Sequence, residues 1–213
     1  GNLVTGGTGK TPHTEYLIRL LQSKYAIATL SRGYGRSTSG FVIAKNDSNS
    51  FQIGDEPKQF QKKFSNIKVA VDGNRVRGVK KLLEHFKDLE VILLDDAFQH
   101  RYVKPGVSIL LTDYGHLFYN DVMLPSGNLR EFKPGYKRAD IIIVTKTPEI
   151  FSPLERRLIL SNIKPEPYQS VYFSYIKSGD FIPILKEKKS NVFSNRDLLM
   201  MILFKGKPCL RTY

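Results

Sequence analysis

The feature that most constrains this chain is the glycine-rich stretch at residues 6–11, Gly-Gly-Thr-Gly-Lys-Thr. A short apolar segment precedes it and a run with helical spacing follows, which predicts the order strand, glycine loop, helix. Such a loop binds phosphate, because glycines let backbone N–H groups turn toward oxygen and the helix end adds partial positive charge. In this pattern Lys10 contacts the β- and γ-phosphates and the Thr11 hydroxyl binds Mg²⁺. Val4 replaces the first glycine of the strict motif, so an ordinary glycine-rich turn is the alternative.

The charge balance limits the class of partner. The 213 residues contain 33 Lys and Arg against 20 Asp and Glu, a net charge of +13. A balance this basic indicates an anionic partner, and phosphorylated substrates, nucleic acids and acidic membrane surfaces all qualify. The hydrophobic content of 41% is enough for a packed core.

Three features that the sequence lacks bear on the protein's cellular compartment and on whether the chain is a fragment. Cys209 is the single cysteine, which excludes an internal disulfide and favours a reducing compartment. The chain has no signal peptide and no apolar run near the ~20 residues of a membrane span. It begins at Gly1 without Met, directly before the glycine loop. We therefore expect a fragment of a longer protein that lacks most of the strand feeding the loop.

The order of predicted elements indicates an α/β fold. Continuous apolar strands alternate with helices, which predicts a mainly parallel sheet with helices on both faces in residues 1–167. Segments 171–176 and 181–185 flank a turn and predict a two-stranded hairpin within a second unit, residues 168–213. The predicted helices are 10–24, 58–64 and 75–86, and the predicted strands are 25–30, 41–44, 67–72, 91–96, 107–113 and 139–146.

Two acidic pairs are candidates for chemistry. Asp95 and Asp96 end an apolar strand, as in a Walker B element that delivers a carboxylate to Mg²⁺ beside the phosphate loop, although a water-facing strand end has the same pattern. Asp55 and Glu56 precede a helix, where acids complement the helix dipole; the functional alternative is a general base or metal partner. Among the four histidines no two have the spacing of a zinc site, and His100 closely follows the second acidic pair.

Arginines recur near these loops, and guanidinium groups suit phosphate oxygens. On a basic protein, some of them are expected to form only a solvated face. The tract at residues 124–131, Leu-Pro-Ser-Gly-Asn-Leu-Arg-Glu, has the turn residues of a loop. The candidate arginines are Arg32, Arg36, Arg75, Arg77 and Arg130.

Five signatures together resemble the tetraacyldisaccharide 4′-kinases, the lipid A 4′-kinases of Gram-negative bacteria. They occur in the family's order over about the first 175 residues, and such an ordered set is more specific than a phosphate loop alone. The signatures are Gly-Asn with Gly-Gly-Thr-Gly-Lys-Thr-Pro (1–12), Leu-Ser-Arg-Gly-Tyr-Gly-Arg (30–36), Gly-Asp-Glu-Pro (54–57), Asp-Asp-Ala-Phe-Gln-His (95–100) and Leu-Pro-Ser-Gly-Asn-Leu-Arg-Glu (124–131).

The resemblance implies a P-loop NTPase-like kinase that uses ATP and Mg²⁺ to phosphorylate the 4′-hydroxyl of an acylated disaccharide 1-phosphate. It implies action at the cytoplasmic face of the bacterial inner membrane, on an anionic surface. The hairpin fits the family's two-stranded hinge. The catalytic residues that the resemblance implies are Asp55, Lys10 and Arg130, and the implied metal ligands are Thr11, Asp95 and Asp96. The implied nucleotide-binding residues are Val4, Thr5, Gly6, Gly7, Thr8, Gly9, Lys10 and Thr11. The residues implied to line the active site are Glu56, Arg75, Gln99, His100 and Glu131.

Three departures from the family pattern qualify the resemblance. Ala97 stands where the family usually has Gly, which we expect only to tighten a turn. The family's N-terminal membrane helix and most of its C-terminal domain, with a histidine thought to pair with the Gly-Asp-Glu-Pro aspartate, have no counterpart in the sequence. We therefore expect weak or no activity from this piece alone.

Two other classes of function compete with a lipid kinase. A membrane-recruited P-loop ATPase that acts as a switch typically carries Lys near the start of its loop, where this chain has Val4 or Thr5. A nucleic-acid-binding module is disfavoured, because the basic residues are scattered and no RNP-like or helix-turn-helix pattern is present. We therefore expect no nucleic-acid partner.

Overall fold

The computed structural model describes residues 1–177, 182–183, 202–203 and 207–211. Two short 3₁₀ turns, Phe118–Asn120 and Lys133–Arg138, accompany the regular elements. The helices are α1 (Lys10–Leu21), α2 (Ser50–Ile53), α3 (Asp55–Lys63), α4 (Arg75–His85) and α5 (Pro153–Ile163). The strands are β1 (Ile27–Ser31), β2 (Val42–Ile43), β3 (Lys68–Val71), β4 (Val91–Leu94), β5 (Ile109–Asp113), β6 (Ile141–Thr145), β7 (Ser170–Lys177), β8 (Ile182–Pro183), β9 (Ile202–Leu203) and β10 (Lys207–Arg211).

The first sheet has the strand order β2-β3-β1-β4, with β1 parallel to β3 and β4 and only β2 antiparallel. Every residue of β1 is buried, because helices cover both faces. On one face Ile27 packs with Ile18 of α1 and Phe60 of α3. On the other face Leu30 packs with Leu82 of α4. The alternation of side chains along a strand thus supplies two separate cores.

The second sheet has the order β10-β7-β6-β5, and β5, β6 and β7 are parallel. Residues 1–4 lie beside β5, where Asn2 forms a parallel bridge with Leu111 and the Leu111 N–H donates to the Gly1 carbonyl at 2.8 Å. The other side of this segment contacts Phe98, just after β4. The segment therefore leads into the glycine loop between the two sheets, at the carboxyl ends of their parallel strands.

The structure confirms the predicted α/β class, with mainly parallel strands and helices on both faces of the first sheet. Most strands are one or two residues shorter than predicted at their ends. Helix α3 begins at Asp55, so the prediction of a helix from residue 58 was wrong there. Helices α2 and α5 were not predicted.

The predicted hinge hairpin is only partly covered by the described residues. Its turn, residues 178–181, lies outside them. Strand β7 pairs in parallel with β6 and antiparallel with β10, and β8 pairs antiparallel with β9. The hairpin, and the division into residues 1–167 and 168–213, therefore stay predictions. No helix in the described part of the chain is both long and apolar enough to span a bilayer.

Candidate active site

The glycine loop forms an open cradle at the start of α1. Gly6 and Gly9 have positive φ angles of 104° and 81°, which glycine adopts without strain. A Cβ atom at Gly6 or Gly7 would meet no other atom within 4 Å, so the space over the loop is open. The first N–H groups of α1 have no partners inside the helix, and they carry the positive end of its dipole. Loop and helix end together can hold an anion.

A carboxylate from the end of β4 meets two cations beside this cradle. The Lys10 ammonium lies 3.6 Å from Asp96, and Arg130 donates a hydrogen bond to the same carboxylate at 3.1 Å. Both cations also donate to the side-chain carbonyl of Asn2. Burial alone would raise the pKa of Asp96, but the hydrogen bond from Arg130 and the charge of Lys10 outweigh it and lower that pKa. Asp96 is therefore ionised at neutral pH.

The neighbouring carboxyl group has the opposite environment. Asp95 accepts a hydrogen bond from the Thr14 hydroxyl at 3.5 Å, and its backbone carbonyl accepts one from the buried Arg75 at 3.2 Å. Burial, and then the charge of Asp96, raise the pKa of Asp95. Two adjacent carboxyl groups with opposite pKa shifts mark a site in which charge is arranged for binding or chemistry.

The tract 124–131 is a loop, as predicted, and it lies against the segment that leads into the cradle. The Arg130 N–H donates to the Leu3 carbonyl at 2.8 Å, which positions the Arg130 side chain beside Asp96. Glu131 accepts from Gln99 at 3.0 Å and from Arg138 at 2.8 Å. Glu131 is therefore tied into a network that fixes the loop.

A second group of basic side chains lies near the same carboxylates, because the charge of Asp96 acts on both Arg75 and His100. Burial, followed by the charges of Arg75 and Arg32, lowers the pKa of His100, which places these three groups close together. Of the remaining candidates, Arg77 pairs with Asp72 at 2.7 Å and Arg36 donates to the Gly40 carbonyl. Those two arginines therefore have local structural roles.

The Gly-Asp-Glu-Pro motif lies at the start of α3 and packs on the basic loop that follows β1. A Cβ atom at Gly54 would lie 3.1 Å from the Cα atom of Gly33, so the two backbones are in direct contact. Asp55 and Glu56 are exposed, and the charge of Glu56 contributes to the raised pKa of Asp95. In the described part of the chain no hydrogen bond or ion pair joins Asp55 to the other predicted site residues.

This set of motifs matches one known family. The family model described as tetraacyldisaccharide-1-P 4′-kinase matches residues 1–175. The chain belongs to this family. A curated tetraacyldisaccharide 4′-kinase of Bacteroides thetaiotaomicron is 51% identical over 91% of the chain and 51% of its own length. That of Flavobacterium psychrophilum is 55% identical over 85% of the chain and 54% of its own length. The chain thus spans about half the length of these relatives.

A solved structure supports the same assignment. The crystal structure of LpxK from Aquifex aeolicus in complex with ATP superposes with a TM-score of 0.69 and 29% sequence identity. The superposition covers 86% of this chain and 55% of that one. The P-loop kinase fold implied by the sequence resemblance is therefore confirmed.

Within this kinase fold, the eight consecutive residues predicted to bind nucleotide have two kinds of environment. Val4 is buried in the core and forms a bridge with Leu129, so its side chain does not face the cradle. Thr8 is also buried, and its carbonyl accepts a hydrogen bond from the Thr145 hydroxyl at 3.0 Å. The other members, Thr5, Gly6, Gly7, Gly9, Lys10 and Thr11, form the accessible part of the loop and the helix start.

Ala97 fits the family's turn without difficulty. The left-handed residue of the turn is Asp96, with a φ angle of 45°, and not Ala97. The methyl group of Ala97 therefore meets no left-handed backbone restriction.

Sequence analysis did not select three residues that the structure places at the cradle. Asn2 binds both cations, His13 contacts the Gly9 carbonyl, and Thr145 binds the Thr8 carbonyl. Thr145 could have been found, because it ends an apolar parallel strand at the same edge as the loop. Asn2 belongs to the Gly-Asn part of the first signature, but neither Asn2 nor His13 carries a local signal for the contacts that it makes here.

The donor set suits Mg²⁺ in combination with phosphate. Thr11, Asp95 and Asp96 offer hard oxygen ligands, and Mg²⁺ is commonly bound through one or two carboxylates together with substrate phosphates and water. Among the described residues no group of three or more His, Cys, Asp or Glu side chains could hold a metal ion by itself. The residues present therefore fit a metal that arrives with a nucleotide.

Proposed function

We propose that this chain carries the nucleotide-binding and phosphoryl-transfer part of an ATP-dependent kinase that phosphorylates the 4′-hydroxyl of a tetraacyldisaccharide 1-phosphate in lipid A biosynthesis. The observation that carries the proposal is the meeting of Lys10, Arg130 and Asp96 beside an open glycine loop. Family membership over residues 1–175 supports the substrate class.

The chain's own residues have distinct roles in this proposal. ATP with Mg²⁺, when bound, supplies the phosphoryl group. The loop N–H groups and Lys10 hold the phosphate oxygens, and Arg130 neutralises charge that develops during transfer. Thr11, Asp95 and Asp96 hold the metal. Lys10 pairs with Asp96 in the described structure, so the ammonium is already positioned at the cradle.

Asp55 is proposed as the base that accepts the proton of the sugar hydroxyl. It is exposed at the start of α3, and it stays close to the basic loop because Gly54 packs on Gly33. An exposed carboxylate without an ion pair in the described residues is free to approach a hydroxyl donor. The side chains proposed to line the acceptor side are Glu56, Arg75, Gln99, His100 and Glu131.

The proposed place of action is the cytoplasmic face of the bacterial inner membrane. The net charge of +13 favours an anionic surface and an anionic lipid substrate. Nucleic acid is not part of the proposal.

A chimera tests the function directly. The chain replaces the matching half of the Bacteroides thetaiotaomicron relative, and the purified chimera receives γ-labelled ATP, Mg²⁺ and tetraacyldisaccharide 1-phosphate in detergent micelles. We expect label on the lipid, and none with a Lys10→Ala chimera. ATP hydrolysis that ignores the lipid would instead favour a membrane-recruited ATPase switch. For the isolated chain we expect weak or no transfer.

A further inference from the structure

His13 and Ser174 form a buried link between the phosphate loop and strand β7. His13 lies in the first turn of α1 and is 8% exposed, and Ser174 is 1% exposed. The Nδ1 atom of His13 is 2.8 Å from the Gly9 carbonyl oxygen, and its Nε2 atom is 3.0 Å from the Ser174 hydroxyl. The two side chains are 161 positions apart in the sequence.

The contacts of His13 determine where its proton is. A carbonyl oxygen only accepts hydrogen bonds, so Nδ1 must carry the hydrogen that is donated to Gly9. The ring is buried, and the partners of its two nitrogens among the described residues are a carbonyl and a hydroxyl rather than a carboxylate, which favours the neutral form. The Nε2 atom of a neutral ring with a protonated Nδ1 can only accept. The Ser174 hydroxyl therefore donates to Nε2, and the hydrogen bonds run from Ser174 through His13 to Gly9.

The carbonyl that receives this hydrogen bond belongs to the peptide unit that carries the Lys10 N–H. In a planar trans peptide the C=O and N–H vectors point in opposite directions. Gly9 precedes α1 with a φ angle of 81° and has no side chain to cap the helix. The hydrogen bond that holds the Gly9 carbonyl in place therefore also holds the Lys10 N–H, which points in the opposite direction, toward the open cradle.

The preceding peptide unit is fixed in the same way from the neighbouring strand. The Thr145 hydroxyl at the end of β6 donates to the Thr8 carbonyl at 3.0 Å, and the N–H of that peptide unit belongs to Gly9. Two successive N–H groups are thus oriented, one by His13 of α1, which contacts Ser174 of β7, and the other by Thr145 of β6. Successive backbone N–H groups that point to one side form an anion-binding concavity.

We propose that His13 is a positioning residue for triphosphate binding, which acts by holding the Gly9–Lys10 peptide unit with its N–H directed at a phosphate oxygen, and that Ser174 holds His13 in the required tautomer. The inference rests on the proposed function, because it assumes that the loop binds a nucleotide phosphate. It makes the geometry of the loop depend on strand β7.

The tautomer can be tested without any substitution. Long-range ¹H–¹⁵N correlation spectra of the ¹⁵N-histidine-labelled chain at pH 7 distinguish Nδ1–H, Nε2–H and the charged ring. We expect the Nδ1–H tautomer for wild-type His13, and a shift of the population from Nδ1–H toward Nε2–H on Ser174→Ala substitution. A wild-type His13 that is charged or in the Nε2–H form would overturn the proposal.

The effect on the ligand is tested by comparing affinities for Mg·ATP and for adenosine. We expect His13→Ala to weaken Mg·ATP binding by about tenfold, the effect of one charge-assisted hydrogen bond, with adenosine affinity unchanged. His13→Asn should recover part of the loss, because its amide can donate to the same carbonyl. The matched control is His85→Ala. In the wild type the His85 ring on α4 makes the same kind of contact, at 2.7 Å to the Lys81 carbonyl.

The outcomes separate this inference from the proposed function. Wild-type chain that binds no Mg·ATP contradicts the proposed function and removes the basis of the inference. Wild-type chain that binds Mg·ATP while His13→Ala binds it equally tightly overturns the inference alone. If His13→Ala does not fold, the same two affinities are measured for Ser174→Ala. A loss of Mg·ATP affinity with adenosine affinity unchanged supports the proposal, and an unchanged Mg·ATP affinity overturns it.

Discussion

Single carboxylates in this chain differ sharply in their surroundings. Asp96 is held between Lys10 and Arg130, whereas Asp55 is exposed at the start of α3. The first arrangement suits a residue whose charge must persist beside phosphate and metal. The second suits a residue that gains its partner only when a hydroxyl substrate arrives, since catalytic hydrogen bonds often form only in the substrate complex.

The role of Asp55 predicts a separation of turnover from binding. Asp55→Asn in the chimera should lower turnover by roughly 10²–10⁴-fold, the usual contribution of general base catalysis, with Mg·ATP affinity nearly unchanged. Steady-state kinetics and calorimetry measure the two quantities. Asp47→Asn, at another exposed position, is the control. Normal turnover of Asp55→Asn would show that the base lies elsewhere.

The pair of Asp72 and Arg77 predicts a pH-dependent stability. Asp72 is fully buried and accepts two hydrogen bonds from Arg77, at 2.8 and 2.7 Å. Burial alone would raise the pKa of Asp72, but the hydrogen bonds from Arg77 and the Asn74 N–H lower it below 3.8. A lowered pKa stabilises the fold above pH 3.8, and this stabilisation is lost as the pH falls through the folded-state value.

Arg77→Met should therefore lower the free energy of unfolding most at neutral pH. The difference from wild type should shrink as the pH falls below 3.8 and through the lowered folded-state pKa, where the buried Asp72 carboxylate becomes protonated. Urea denaturation at a series of pH values measures this difference. Lys80→Met, exposed on the same helix, is the control. A difference that does not change with pH would contradict the assigned pKa shift.

Helices α1 and α3 are joined by a buried carboxylate. Glu15 of α1 is 5% exposed and accepts from Lys63 and Gln59 of α3, each at 2.6 Å, and from Arg19 at 3.0 Å. A buried carboxylate with several donors is held in one geometry, and removal of its partners would leave an unpaired charge. The helix that carries Lys10 is thus fixed relative to the helix that begins at Asp55.

The start of α3 gives a prediction about a single glycine. Gly54 and Gly35 both have positive φ angles, 91° and 71°, but a Cβ atom would contact the Gly33 backbone only at Gly54. Gly54→Ala should therefore destabilise the chain by about 1–3 kcal/mol more than Gly35→Ala, because it adds a backbone clash to the conformational strain. Denaturation midpoints measure this. Equal losses for both variants would mean that α3 can move away from the basic loop.

For the molecule as a whole, the features that could be predicted from the sequence are those that depend on a local pattern of residues. The glycine loop, the apolar strands and the acids at the end of β4 were all found, because each is encoded within a few neighbouring residues. Helix α5 was missed, since Leu154 and Leu158 are 72% and 63% exposed and weaken the amphipathic pattern.

The links between distant segments could not be predicted in this way. His13 and Ser174 are brought together only by the packing of α1 on the second sheet, and Glu15 resembles an ordinary exposed helix residue until α3 is placed beside it. The signal for such contacts lies in tertiary structure, where buried polar groups must find partners. The residues of the site that sequence analysis missed are accordingly those whose hydrogen bonds hold the glycine loop in place.

The central claim is that the glycine loop and Lys10 bind the phosphates of ATP beside Asp96. Isothermal titration of the chain with Mg·ATP tests it most directly, with Lys10→Ala as the variant and Lys24→Ala, at an exposed position, as the control. We predict saturable binding by the wild type and the control, and a loss of at least about tenfold in affinity for Lys10→Ala. Wild-type affinity in Lys10→Ala, or no binding by the wild type, would contradict the account.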